Sequence, residues 1–99
     1  MDNSKDLIEI VLDVTASDAE RDDAAIDLGF VSNDPSVQVA LLTIANDKDT
    51  DEMIRASCGE SLAQIWMKNN EFDLNNLSRL AGIAHVEALE CFERENSDE

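Results

Sequence analysis

The chain's nearest approach to a chemical motif is the run Asp47-Lys48-Asp49-Thr50-Asp51, in which carboxylates at alternate positions could chelate an oxygen-loving cation. A calcium loop of the EF-hand kind also needs glycine at its sixth position and a bidentate glutamate at its twelfth. Those positions hold Glu52 and Cys58, so the run reads as an exposed acidic turn that caps a helix. His85 is the single histidine, and no Cys, Asp or Glu stands beside it at a spacing that recurs in zinc sites. Cys58 and Cys91 are far apart in the sequence, each inside an apolar periodic segment, and read as two buried thiols rather than a disulfide or a metal pair.

The sequence offers no glycine-rich phosphate loop, no nucleophile elbow, and no Ser, His and Asp set that could be nominated as a triad. General acid-base catalysis needs at least one carboxyl group in a desolvated pocket, whereas the acidic positions here fall on the solvated faces of expected helices. A non-enzyme with no metal and no cofactor is therefore expected. What remains is charge. Twenty-three Asp and Glu against seven Lys and Arg give a formal charge of -16 and a pI near 4.1. Direct binding to nucleic acid is not expected from that balance, because phosphates are neutralised by a cationic surface. The surplus also exceeds what the solubility of a small domain requires, which points to a basic protein partner.

High charge with 4% aromatic residues is a combination found in disordered chains, but 43% hydrophobic residues in periodic blocks are enough for a packed fold. Ninety-nine residues fit a single domain, 1–99. No apolar run approaches the ~18 residues of a membrane span. The start, Met1 to Asp6, lacks the basic flank and apolar stretch of a secretory signal, and a cytoplasmic protein is expected.

The periodic signal is helical, since strict two-residue alternation never persists and only three Gly and one Pro interrupt the chain. Leu7, Ile8, Ile10, Val11 and Val14 mark a first helix from about Ser4 to Val14. Ser17 or Asp18 caps a second, which carries Arg21, Ala24, Ala25, Leu28 and Val31 on one face. After Ser32-Asn33-Asp34, Pro35 opens a third helix that runs to about Ala45. Asp49 or Thr50 caps a fourth that reaches Lys68, with Asp49 and Glu52 spaced as a variant capping box. Asp73 caps a fifth, through Leu74, Leu77 and Leu80 to Ala81, and Gly82 ends it. A sixth runs from about Ala84 to Glu93, leaving a polar, disordered tail at 94–99.

The chain also repeats itself. Sliding it along itself until Leu7 falls on Leu41 places Ile8 on Leu42, Ile10 on Ile44, Asp13 on Asp47, Arg21 on Arg55, Leu28 on Leu62 and Val31 on Ile65. Small residues keep the register: Val11 falls on Ala45, Ala25 on Gly59 and Gly29 on Ala63. Such a period lies in the range of helical solenoids. An apolar helix, an Asp in the turn and an Arg opening an Ala- and Leu-rich helix, as in Ile44 to Asp47 followed by Met53 to Ala63, resemble the HEAT repeat and its relatives. That resemblance implies an all-α fold, a short right-handed α-solenoid of three HEAT-like helical hairpins with about six helices. It also implies a ladder of Asp13, Asp47, Arg21 and Arg55 between adjacent hairpins, read as structural in preference to binding. The third copy lacks the turn Asp and puts Glu87 near the Arg position, as suits a terminal cap.

If the second helix buries the Arg21 face, then Asp22, Asp23, Ile26, Asp27 and Phe30 lie along the opposite ridge. The corresponding ridge of the fourth helix is Ser57, Glu60, Ser61 and Gln64, and the sixth helix adds Glu87, Glu90 and Glu93. In HEAT-like stacks the second helices adjoin on one concave surface, so these three ridges would form an acidic docking face. Ile26 and Phe30 are either apolar anchors of that face or are covered by neighbouring helices. In size and acidity the chain resembles the small immunity proteins that bacteria pair with contact-delivered toxins. That resemblance implies an inhibitor that masks the active site of a basic toxin domain, a nuclease above all, as a monomer in a 1:1 complex. A HEAT-like adaptor or scaffold module is the alternative.

Overall fold

The computed structural model describes residues 3–31 and 34–96. Its helices are α1 (Ser4–Leu12), α2 (Asp18–Leu28), α3 (Pro35–Ala45), α4 (Glu52–Lys68), α5 (Leu74–Leu77) and α6 (Gly82–Asn96), and the described residues contain no strand. Four of these helices begin where a side chain accepts an amide that no helical carbonyl can reach. Ser17 accepts from the Glu20 amide, and the Glu20 carboxylate accepts from the Ser17 amide in return. Asp34 accepts from Ser36, Asp51 from Met53 and Asp73 from Asn76, each at 2.8–2.9 Å.

The cap of α4 is therefore Asp51, not Asp49 or Thr50. Asp47 explains the shift, because its two oxygens accept from the Asp49 amide at 3.0 Å and the Thr50 hydroxyl at 2.9 Å, holding both residues in the turn. The reciprocal capping box belongs to Ser17 and Glu20. α1 stops at Leu12, short of Val14, because Asp13 accepts from both the amide and the hydroxyl of Thr15 and bends the chain. α2 stops at Leu28, before Val31, while α3 has the expected bounds.

The third hairpin departs furthest from expectation. α5 is one turn, not a helix reaching Ala81, because Asn46 pins the chain beyond it: its amide donates to the Arg79 carbonyl at 2.8 Å and its carbonyl accepts from the Ala81 amide at 3.1 Å. Gly82, with φ of 62°, opens α6 instead of closing α5. α6 continues past Glu93 to Asn96, so 94–96 are helical, whereas 97–99 and Ser32-Asn33 lie outside the described residues.

α1 packs on α2 and α3 on α4, while α1 also meets α3, and α4 meets both α2 and α6. One layer thus holds α1 and α3, the other α2, α4 and α6. Between them lies one core, in which Val11, Leu28, Leu41, Ile54, Leu62 and Trp66 are fully buried. The internal repeat has a physical counterpart. Arg21 Nε donates to the Val11 carbonyl at 3.1 Å, and Arg55 Nε donates to the Ala45 carbonyl at 3.0 Å. Each arginine reaches back from the second helix of its hairpin to an orphaned carbonyl at the end of the first. The arginines thus tie hairpins internally, and the charge of Arg21 also acts on Asp47 of the next hairpin, without a direct Asp–Arg ion pair among the described residues.

Small residues set how closely the second layer packs. A Cβ on Gly59 would meet the Ala84 backbone, with Ala84 Cα at 2.8 Å, and one on Gly29 would meet Ser61 Oγ at 2.9 Å. In urea unfolding, Leu62→Ala is expected to lose about 2–5 kcal/mol through the cavity it leaves. Gly59→Ala is expected to lose about 1–3 kcal/mol by forcing α4 from α6. Wild-type midpoints would contradict this account of the core.

Candidate interaction surface

Two hydrogen bonds set α2 edge to edge with α4. The Ser57 hydroxyl donates to the Asp22 carboxylate, and the Ser61 hydroxyl donates to the Ala25 carbonyl, each at 2.6 Å. Asp22 is accordingly half-buried between the helices and does not project from them. With Arg21, Ala24, Ala25 and Leu28 buried, Asp23, Ile26 and Asp27 follow along the outer ridge of α2, Phe30 stands in the turn just past its end, and all four are exposed. Ile26 is 41% and Phe30 66% exposed, so neighbouring helices do not cover them.

Phe30 and Gln64 share a cleft of about 290 Å³ with Gly29, Met67, Lys68 and Glu95. Gly29 makes this possible, since a Cβ there would stand 2.8 Å from Gln64 Oε1. The cleft joins α2, α4 and α6. Glu60 is bound from the α6 side by Arg94, whose Nη2 lies 2.9 Å from Glu60 Oε2. Arg94 and Glu95 belong to the segment expected to be a disordered tail. Both nevertheless have a place on this surface, one neutralising Glu60 and the other restoring a negative charge beside Phe30. A surface ion pair of this kind contributes about 0–1 kcal/mol, so it is easily exchanged.

Glu87 precedes Arg94 by two turns and shares its side of α6, with Glu90 between them. Glu93 is turned by about 100° from Arg94 around the helix axis and stands apart from the Glu60 side. The surface therefore gathers Asp23, Ile26, Asp27, Phe30, Glu60, Gln64, Glu87 and Glu90, with Asp22 at its seam and Glu93 elsewhere. Sequence reasoning missed Met53, which is 54% exposed and falls one turn before Ser57 on the ridge that continues to Glu60 and Gln64. That spacing was the available signal. For Arg94 the signal was its position, one repeat period after Glu60.

Other titratable groups serve the fold. Burial pushes the Cys58 thiol up to about 12 and also raises Cys91, which keeps both protonated and unreactive at neutral pH. Among the described residues no three His, Cys, Asp or Glu side chains are grouped to hold a metal ion, and no helix is long and apolar enough to cross a membrane. Hydrogen bonds from Asp49 and Thr50, then the charges of Arg21 and Arg55, hold the Asp47 carboxyl below its ordinary range. The Thr15 hydroxyl and amide, then Arg21, do the same for Asp13. Comparison with protein-family models, curated proteins and solved structures yields no match.

The lowered Asp13 and Asp47 values predict a signature in acid. As pH falls, the unfolded chain takes up these protons first, near 3.8, and the folded state takes them up only lower. The stabilisation is thus complete above that value and is lost as pH drops through the folded values. Thermal unfolding between about pH 2 and 5 should therefore show a shallower acid loss in Asp47→Asn than in the wild type. Parallel curves would show that Asp47 is not held in its charged form.

Proposed function

We propose that the protein is a non-catalytic docking module that binds a basic protein partner through the α2–α4–α6 face. The observation that carries this reading is the exposure of Ile26 and Phe30 on a ridge flanked by Asp23 and Asp27, beside a cleft that ends at Glu95. Large apolar side chains flanked by carboxylates suit a partner that is steered electrostatically and then anchored by local burial. The most economical partner is a toxin domain with a cationic active site, a nuclease, whose phosphate-binding groove the carboxylates would occupy. The protein would then be an immunity protein, acting in the cytoplasm as one copy per toxin.

The two-layer packing and the twice-repeated Arg-to-carbonyl bond support a HEAT-like stack as the scaffold of this face. The alternative, an adaptor that joins two proteins, is favoured by a second apolar cleft at the α5 end of the molecule.

The direct test begins with the gene's neighbours: if one encodes a basic nuclease domain, its activity is titrated with the protein. Full activity in excess protein would reject the immunity reading. Against a partner so identified, changing Asp23, Asp27 and Glu87 to Lys should slow association by roughly tenfold or more while helix content is kept. Association of the wild type should also slow as salt shortens the screening length to about 8 Å. Ile26→Ala and Phe30→Ala should instead speed dissociation, because they remove apolar contact without altering charge. If reversals at Asp6 and Glu9 on α1 abolish binding while those on α2 do not, the opposite layer is the docking face.

A further inference from the structure

The layer of first helices is unfinished. α1 has nine residues and α3 eleven, but α5 has four. The repeat register puts Asn75, Asn76 and Ser78 where α3 carries Leu41, Leu42 and Ile44, so this stretch covers its second helix with fewer apolar side chains, Leu77 and Leu80 being the ones buried. The consequence is visible on α6. Cys58 is fully buried on α4, whereas its counterpart in the next repeat, Phe92, is only half-buried.

Phe72 covers part of Phe92 by stacking on it, with centroids 4.2 Å apart and planes 3° from parallel, and meets Trp66 edge-on at 6.3 Å. The rest is a cleft of about 240 Å³ lined by Phe72, Asp73, Leu74, Leu77, Leu89 and Phe92. Leu74 is 81% exposed, more than any other large apolar side chain among the described residues.

We propose that this cleft docks an amphipathic helix of a partner protein, laid where a full-length α5 would run, with its apolar stripe on Leu74, Leu89 and Phe92 and basic residues on its flanks. The shape of the occupant follows from the layer, in which the other two positions are held by helices packed on α2 and α4. The charge of the occupant follows from the rim. Glu71 and Asp73 are exposed on the approach to α5, and Glu93 stands one turn beyond Leu89 on α6. The outlying position of Glu93 thereby has a use. A second copy of this chain would bring the same acidic rim and a charge of -16, so self-docking is opposed. The site shares no residue with the proposed toxin-binding face and stands independently of it.

The probe is a synthetic helix of about 14 residues made of Leu and Lys, with Leu at i, i+3, i+4 and i+7 and no aromatic residue. Trp66, the chain's one tryptophan, reports on the cleft through Phe72. Saturable change in its emission is expected, with amide shifts concentrated at Phe72–Leu77 and Leu89–Glu93. Leu74→Asn, at a side chain that contributes nothing to the core, should weaken the peptide by about tenfold, the worth of one buried leucine contact. A peptide of the same composition with its leucines scattered should bind at least as weakly. The proposal is overturned by equal binding of the scattered peptide, by shifts centred on Ile26 and Phe30, or by no saturable binding. It is equally overturned if sedimentation shows a dimer that Leu74→Asn dissociates, since the occupant would then be a second copy.

Discussion

A helix that ends against a protein core leaves carbonyl oxygens that water cannot reach, and the way two arginines answer this requirement joins the first four helices in pairs on which the rest of the chain packs. Arg21 and Arg55 each lie in the second helix of a hairpin and bond a carbonyl at the end of the first. The bond fixes how the two helices cross and where the turn between them must pass. It also brings a cation into a buried position, with Arg21 only 6% exposed and its Nη2 without a hydrogen-bond partner among the described residues. The turn aspartates supply the compensating charge. Asp13 and Asp47 are held ionised by their own turns, and the field of Arg21 reaches both.

This arrangement was legible in the sequence because it is local and repeated. Asp13 and Asp47, Arg21 and Arg55, and the apolar positions between them recur at one offset, and Pro35 with its preceding Asp34 placed the start of α3. What escaped notice depends on contacts between distant residues. The brevity of α5 follows from the two bonds that Asn46 makes across the turn, and nothing near Leu77 announces it. The extension of α6 brings Arg94 to Glu60, a partner that the polar C-terminal residues alone do not suggest. The cap of α4 was misplaced because Asp47, Asp49 and Asp51 are equivalent on paper, and only the closed turn shows which is occupied.

The acidity of the chain is likewise several things at once. Asp34, Asp51 and Asp73 cap helices, Glu20 closes a capping box, and Asp13 and Asp47 build turns. These carboxylates would be present whatever the protein binds. Asp23, Asp27, Glu87 and Glu90 have no such structural use in the observed contacts, and three of them are exposed on the layer that also exposes Ile26 and Phe30. Other carboxylates without such a use, Asp6, Glu9, Glu71 and Glu93 among them, are exposed on other parts of the molecule.

α4 is the only helix that packs against α2, α3 and α6 together, and eight of its residues are buried. It can lose its hydrogen bonds only if every neighbour leaves, so its amides should exchange with solvent at the rate of global unfolding. α5 has one turn and packs mainly on α6, and α1 meets only α2 and α3 closely among the described residues. Their amides report on openings that leave the rest of the chain intact. The fold is therefore graded: a slow-exchanging axis at Cys58 to Trp66, with protection falling toward α1 on one side and α5 on the other.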